Sequence, residues 1–355
     1  MEHRIRQYLE TARSISDRKS TPFLFEFYKL VLHRAVTGYG PDHYATYSLF
    51  DKPISLRGWR EYVDKKDFCK ILRRHNKKEN FRVLEDKVLF GQECLAGSLP
   101  HPRIYFTVNY PGNDSTFPNA QADGIEAAFD DLAQGHYIVK TYGGSYGINL
   151  WSITKMVDGI YLHNDQTTLT SREFSVLLDT SGEGYLVQEK LEAATSLRNI
   201  MPGIACGSIR VVTFFQPGGA SLTPYAALKL TTIGPVSDNF GDGTAGNMLA
   251  LVDLDRQCIS KVVKRTESGL LRQISHHPDT GINLIDYPLP ELEQAIGLAQ
   301  RCAAAFPDIP AIGWDIVITD EGPKTLEGNP MFDPVIPQLS SDQGIKELIE
   351  GQLRG

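Results

Sequence analysis

Residues 312 to 319 read Ile-Gly-Trp-Asp-Ile-Val-Ile-Thr, and no other stretch constrains the fold as tightly. Ile312, Trp314, Ile316 and Ile318 alternate with Gly313, Asp315, Val317 and Thr319, the period-two pattern of a strand. An acid, Asp315, therefore sits on the face opposite the large apolar residues. After Asp320 to Pro323 the chain returns through Lys324 to Pro330, where Thr325, Glu327 and Asn329 are each two residues apart and share a face in a regular strand. A three-residue loop of Asp320, Glu321 and Gly322 pairs Thr319 with Pro323, and so Asp315 with Glu327; a two-residue loop puts the acids on opposite faces. In the first register the carboxylates stand roughly 5 Å apart at Cβ. Like charges that close need neutralising, and hard oxygen donors suit Mg²⁺. An ordinary surface hairpin is the competing reading.

The rest of the chain narrows the choice. Its 355 residues suffice for two or three domains, and 41% hydrophobic with 22% charged residues is ordinary for a soluble globular protein. No apolar run reaches membrane-spanning length, and the polar N-terminus is no secretory signal, so the expected setting is cytoplasmic with no membrane partner. Cys69, Cys94, Cys206, Cys258 and Cys302 are dispersed with no CxxC pair, which argues for reduced thiols and against a zinc site. Residues 1 to 87 hold 19 Lys and Arg against 12 Asp and Glu, while the remainder is acidic. This basic excess reads as solvated helix faces, and no nucleic-acid partner is expected.

Residues 1 to 80 are predicted to form a helical N-terminal region, with amphipathic segments at 21 to 36 and 65 to 75. From 81 onward short apolar strands dominate, at 104 to 109, 136 to 142, 185 to 191, 209 to 215, 225 to 231, 247 to 254 and 313 to 319. Two helices interrupt them at 122 to 134 and 291 to 306. This order indicates an α+β protein with mostly antiparallel sheets.

Four further constellations bear on chemistry. Lys140 ends an apolar strand and is followed by Gly143, Gly144, Ser145 and Gly147, a combination suited to phosphate, although it is neither a P-loop nor a dinucleotide fingerprint. Asp86 and Lys87 open an amphipathic segment that ends at Gly97. Gln188, Glu189, Lys190, Leu191 and Glu192 follow a buried strand and offer backbone groups to a flat heterocycle. Arg210 and Lys229 are cations on strands that otherwise read as core; facing Asp315 and Glu327, they make a phosphate-and-metal site. His276 and His277 are adjacent and point apart, so a metal pair is not expected there.

Taken in order, these pieces resemble the ATP-grasp superfamily, and in particular its sugar-transfer-associated branch. The likeness spans roughly residues 84 to 334. It is carried by Ile209-Arg210, Asp238-Asn239 before a glycine-rich turn, and Gly313-Trp314-Asp315 leading to Glu327-Gly328-Asn329. The resemblance implies two α+β subdomains clasping ATP, at 81 to 189 and 190 to 355. Lys87, Lys140 and the loop at 143 to 147 would meet the phosphates. Residues 188 to 191 would form the adenine hinge, with Glu189 and Glu192 as ribose candidates. Asp315, Glu327 and Asn329 would hold one or two Mg²⁺ ions, or Mn²⁺ in their place, and Arg210 and Lys229 would stabilise the transferring phosphoryl group and the acyl intermediate. The implied activity is an ATP-dependent carboxylate–amine ligase working through an acyl phosphate, in biosynthesis of a peptide, sugar-linked or exopolysaccharide-related metabolite. Its partners would be small carboxylates and amines, and related ligases suggest a homodimer. A kinase-like phosphotransferase and a nucleotide-binding protein without turnover are the alternatives. Two positions depart from relatives: Gly313 stands where D-alanine ligases carry an arginine, and Ala194 where the nearer branch often has histidine.

Overall fold

The structure, a computed structural model, describes residues 2 to 353 except 113–115, 123, 145–148, 165, 216–220, 236, 241–245 and 267–269. Seven helices precede the first strand of any length: α1 (Glu2–Lys19), α2 (Phe23–Thr37), α3 (Pro41–Thr46), α4 (Leu56–Glu61), α5 (Lys65–Leu72), α6 (Arg82–Glu85) and α7 (Lys87–Ala96). Helix α7 starts where the sequence places Asp86, because the Asp86 Oδ1 accepts the backbone N–H groups of Val88 and Leu89 at 3.0 and 3.2 Å. A side-chain acceptor at the N-cap satisfies donors that the first helical turn leaves free.

Two seven-stranded sheets follow. The first runs β2 (Asn119–Ala120), β1 (Ile104–Val108), β7 (Tyr185–Glu189), β3 (Gly135–Thr141), β4 (Leu150–Met156), β5 (Gly159–Leu162), β6 (Thr167–Leu169), antiparallel except between β1 and β2. Helices α8 (Gly124–Asp130) and α9 (Ser171–Thr180) cover one face, where Phe129, Phe174 and Leu178 pack on Tyr137, Val139, Tyr185 and Val187. Alternation sends Leu186 to the other face, against Val88 of α7. Lys140 lies opposite Leu186, and Ile138 opposite Gln188, so both Lys140 and Gln188 share that second face. Strands β4 to β6 and helix α9 are not read from the sequence; β5 and β6 are only four and three residues long, too short for a periodicity signal.

The second sheet is antiparallel throughout, in the order β12 (Leu271–Ile274), β11 (Cys258–Arg265), β10 (Met248–Asp253), β9 (Ser221–Leu230), β8 (Ile209–Phe215), β13 (Ala311–Thr319), β14 (Gly322–Asn329). One face buries Val211, Leu228, Ala250, Trp314, Ile316 and Ile318 against α10 (Leu292–Ala305). Each such side chain removed from water contributes about 1.5–3 kcal/mol, which is why the Ile-Trp-Ile-Ile alternation dictates the side that turns inward. The other face is covered by the N-terminal helices. Leu30, Tyr44 and Trp59 pack on Ala227, Leu249 and Leu251, while Phe68, Ile71 and Leu72 pack on Val212, Phe214 and Tyr225. The helical N-terminal region is thus the second layer of this sheet. Helices α11 (Val335–Ser341) and α12 (Lys346–Gln352) complete that layer through Ile336, Leu339 and Ile349.

Helix α2 departs from ordinary amphipathic patterning. It buries Glu26, Lys29 and His33 alongside Leu30, and turns Leu24 (76% exposed), Phe25, Tyr28 and Val31 outward. The buried charges neutralise each other, Lys29 Nζ lying 3.0 Å from Glu26, whose other oxygen accepts the Thr21 hydroxyl at 2.9 Å.

The hairpin of β13 and β14 corrects the expected loop. Thr319 pairs with Gly322 across the two-residue turn Asp320-Glu321, yet Asp315 still pairs with Glu327, because a bulge shifts the register between Asp315 and Ile316. The bulge adds one residue to β14 and so restores the parity that a two-residue turn would have lost. It also moves Thr325 opposite Ile316, on the face away from Glu327, where it is fully buried. Thr325 and Glu327 do not share a face as a regular strand would have them.

Candidate active site

Asp315 is the centre of the site. It lies in the middle of β13 and is 3% exposed. Its neighbour across the ladder on one side is Glu327 of β14, and on the other Arg210 of β8. Arg210 donates two hydrogen bonds to it, Nε to Oδ1 at 2.6 Å and one terminal nitrogen to Oδ2 at 2.8 Å. Lys229 Nζ reaches Oδ2 at 2.9 Å from β9. Burial alone would raise the Asp315 carboxyl, but Arg210 and Lys229 together hold it far below the usual carboxylate range. The same attraction works in return: burial disfavours the charged forms of Arg210 and Lys229, and their acidic neighbours keep both protonated.

Of the two close carboxylates, Asp315 is neutralised by the two cations that the sequence reading set facing it, Arg210 and Lys229. Glu327 is half-buried and accepts a hydrogen bond from the Asn329 amide at 3.1 Å. No group of three His, Cys, Asp or Glu converges among the described residues. Two carboxylates and an amide still fit Mg²⁺, which is bound through one or two carboxylates together with substrate phosphates and water rather than by an all-protein cage. Asp315, Glu327 and Asn329 are the donors such an ion would use, and when bound it would supply a Lewis acid for phosphoryl oxygens.

Helix α7 and strand β3 supply two further lysines. Lys87, at the start of α7, donates to the Gly144 carbonyl at 2.8 Å, and its own N–H binds the Tyr142 carbonyl at 2.9 Å. The Lys87 ammonium is thereby tied to the glycine loop that follows β3. Burial lowers the Lys140 pKa to about 8, the charge of Lys87 pushes it the same way, and Glu327 opposes both. Burial likewise lowers Lys87, again against Glu327. Glu327 also bears on Arg210 and Lys229, so one carboxylate at the sheet junction feels cations from both sheets. Gly143 has nothing within 4 Å of the position a Cβ would take. Ser145 and Gly147 lie outside the described residues.

At the hinge, Gln188 is buried on the Lys140 face, but Glu189 belongs to the opposite one. The Glu189 carboxylate is already committed, accepting the Arg103 N–H at 3.1 Å and the Lys324 ammonium at 2.8 Å. It fastens the first sheet to the second-sheet hairpin. Glu192, the other ribose candidate, is exposed and lies 3.6 Å from Arg198. Lys190 and Leu191 lead into the crossing, Leu191 buried and Lys190 lowered by burial against the pull of Glu192. Ala194 is core, its N–H bound to the Ile318 carbonyl at 2.8 Å.

Gly313 is explained by close approach. A Cβ there would lie 2.8 Å from Phe332 Cβ and 3.2 Å from Arg210 Cδ. The guanidinium beside Asp315 comes from the neighbouring strand, and its stem fills the space a side chain at 313 would need. Gly328 is excluded from bearing a side chain in the same way, by the Trp314 ring at 2.6 Å.

One residue of the site had only a motif to mark it. Asp238 lies 3.5 Å from Lys229 Nζ, and its carboxylate accepts from both the N–H and the hydroxyl of Ser208. Its place in the Asp238-Asn239 pair was the available signal; its contact with Lys229 depends on a loop returning from β9. His277 is structural, buried with Nε2 3.1 Å from the Thr231 carbonyl and Nδ1 accepting from Asp279, while His276 contacts Ser275.

Residues 69 to 351 match the family model described as sugar-transfer associated ATP-grasp. No curated protein matches the chain. Similar solved structures include the D-alanine-D-alanine ligase from Coxiella burnetii, at 12% identity and TM-score 0.41 over 78% of this chain and 58% of that one. The D-alanyl-alanine synthetase A from Vibrio cholerae matches at 11% identity and TM-score 0.43, over 78% of this chain and 67% of that one. A RimK domain ATP-grasp protein from Sphaerobacter thermophilus matches at 14% and 0.37, over 78% and 69%. The chain thus spans less than two thirds of the length of the Coxiella ligase.

Proposed function

We propose that this chain, which belongs to the sugar-transfer associated ATP-grasp family, is an ATP- and Mg²⁺-dependent ligase that joins a carboxylate to an amine through an acyl phosphate. The observation that carries this reading is the pairing of Asp315 of β13 with Glu327 of β14, Asp315 being bound by Arg210 of β8 and Lys229 of β9, while Lys87 of α7 is bonded to the Gly144 carbonyl in the glycine loop after β3. Lys87 and Lys140, beside the glycine loop that follows β3, suit a polyphosphate better than a neutral substrate.

In this reading Lys87 and Lys140 bind the phosphates, and the Lys87 link to Gly144 ties their position to the glycine loop. A substrate carboxylate oxygen attacks the γ-phosphorus, ADP leaves, and a mixed anhydride forms. The amine then attacks the acyl carbon, phosphate departs, and the amine proton passes to solvent. Both steps develop negative charge on oxygen, which Arg210 and Lys229 are placed to offset from a buried, pre-formed position. No group on the protein forms a covalent bond, so the chain acts by orientation and charge.

Calorimetric titration of a non-hydrolysable ATP analogue, with and without Mg²⁺, tests the first half. Metal-dependent binding that weakens in Glu327→Gln is the expected result, and its absence from the intact protein would sink the nucleotide reading. Turnover of ATP with candidate carboxylates in hydroxylamine tests the second. A ligase yields a hydroxamate together with ADP, whereas a kinase-like phosphotransferase leaves a stable phosphorylated product.

A further inference from the structure

We propose that Asp238 is a positioning residue that takes over Lys229 when Asp315 turns to a divalent cation. The inference rests on the function proposed above. In the free chain both Asp315 oxygens are engaged, by two Arg210 nitrogens and by Lys229. A divalent cation on Asp315 would share one carboxylate with three cationic donors, and like charges that close are destabilising. One donor must yield. The planar fork of Arg210 is held by two hydrogen bonds and moves as a unit, whereas an ammonium on a flexible stem can pivot.

Lys229 cannot pivot into water, because it is 7% exposed. An unpaired buried ammonium is costly, so the move needs a second anion within reach. Asp238 is that anion, 3.5 Å away against 2.9 Å for Asp315. It is held from several sides. Ser208 binds its carboxylate through both N–H and hydroxyl. The Asn247 side-chain amide donates to the carbonyls of Ser237 and Asn239 at 2.9 and 3.1 Å. Phe240, two residues on, is buried in the same core as Tyr44 and Trp59 of the N-terminal helices. The acceptor is held in place and the lysine stem has rotatable bonds, which is the arrangement a hand-over requires. It also gives the N-terminal helical layer a part in the chemistry, since that layer anchors the loop bearing Asp238.

The test is a double-mutant cycle read by Mn²⁺ binding, with free Mn²⁺ followed by electron paramagnetic resonance in saturating non-hydrolysable ATP analogue. No turnover is involved. Asp238→Asn strands Lys229 on Asp315, so Mn²⁺ affinity falls roughly tenfold, the size of coupling seen between contacting charged residues. In a Lys229→Met background the same substitution has little effect, because no lysine competes for Asp315. Asp238→Glu restores most of the affinity. An equal loss in both backgrounds would show a general charge effect and overturn the hand-over, as would wild-type affinity in Asp238→Asn. If the wild-type protein binds neither analogue nor Mn²⁺, the proposed function falls with it. If it binds both and only the cycle shows no coupling, that function stands and this inference alone is lost. Urea midpoints for each variant confirm that the folded chain is being titrated.

Discussion

Replacing Asp315 by asparagine should destabilise the free protein far more than replacing Glu327 by glutamine. Asp315 is buried and takes two hydrogen bonds from Arg210 and an ion pair from Lys229. Asparagine matches its shape and removes its charge. Arg210 cannot shed its proton, so a guanidinium is left in the sheet without its direct counter-ion. Breaking one partner of a buried pair costs about 3–5 kcal/mol. Lys229 keeps Asp238 at 3.5 Å, which offsets part of the loss and places the expected cost near the lower end, about 3 kcal/mol. Glu327 accepts one hydrogen bond, from Asn329, and is only half-buried, so Glu327→Gln should cost below about 1 kcal/mol. Urea unfolding of both variants without ligand, at unchanged slope, measures the difference. Adding Arg210→Met to Asp315→Asn should recover stability by removing the stranded charge. Equal midpoints for Asp315→Asn and Glu327→Gln would refute the view that Asp315 is a structural clasp before it is a ligand. The comparison also guards the binding assay, since lost nucleotide binding in Asp315→Asn has two sources and in Glu327→Gln only one.

Affinity for the ATP analogue should fall as pH rises through about 8, because Lys140 is lowered to that value by burial and by Lys87, and only its protonated form attracts phosphate; the inflection should vanish in Lys140→Met, and calorimetry from pH 6.5 to 9.5 checks it. The N-terminal layer should weaken in acid. Burial depresses His33 to about 4 and His43 to about 3, so their contribution is fully present above the unfolded value near 6.5 and is lost as pH falls below it. The slope is up to about 1.4 kcal/mol per pH unit for each ring, and urea midpoints at pH 7 and 5 should show it in the wild type but not in a His33→Phe, His43→Phe variant. Gly313→Ala should cost about 1–3 kcal/mol by overpacking against Phe332 and Arg210, read as a lowered thermal midpoint.

Local chemistry made part of this protein legible without coordinates. Alternation of Ile312, Trp314, Ile316 and Ile318 identified a buried strand and put Asp315 on its other face, because a pleated chain has a period of two and the apolar side must leave water. Asp86 and Lys87 were seen to open a segment ending at Gly97, and Asp86 proves to be its N-cap, a role that needs only its own neighbours. The resemblance carried by Ile209-Arg210, Asp238-Asn239 and Gly313-Trp314-Asp315 to Asn329 pointed to the family. What lay beyond reach depended on how elements meet. The pairing of Asp315 with Glu327 was expected through a three-residue loop, but the two-residue turn and the bulge that together produce it are revealed by no spacing. Commitment of Glu189 to Lys324 needed a residue 135 positions away. Burial of Glu26, Lys29 and His33 on α2 ran against its own hydrophobic pattern, for this face packs on α3 and α4, where the His33 ring meets His43, Tyr44 and Trp59. Sequence determines which face of an element prefers water. Which charge neutralises which is decided only when strands β8, β9, β13 and β14 lie side by side, because Coulomb attraction acts through distance in space and is indifferent to separation along the chain.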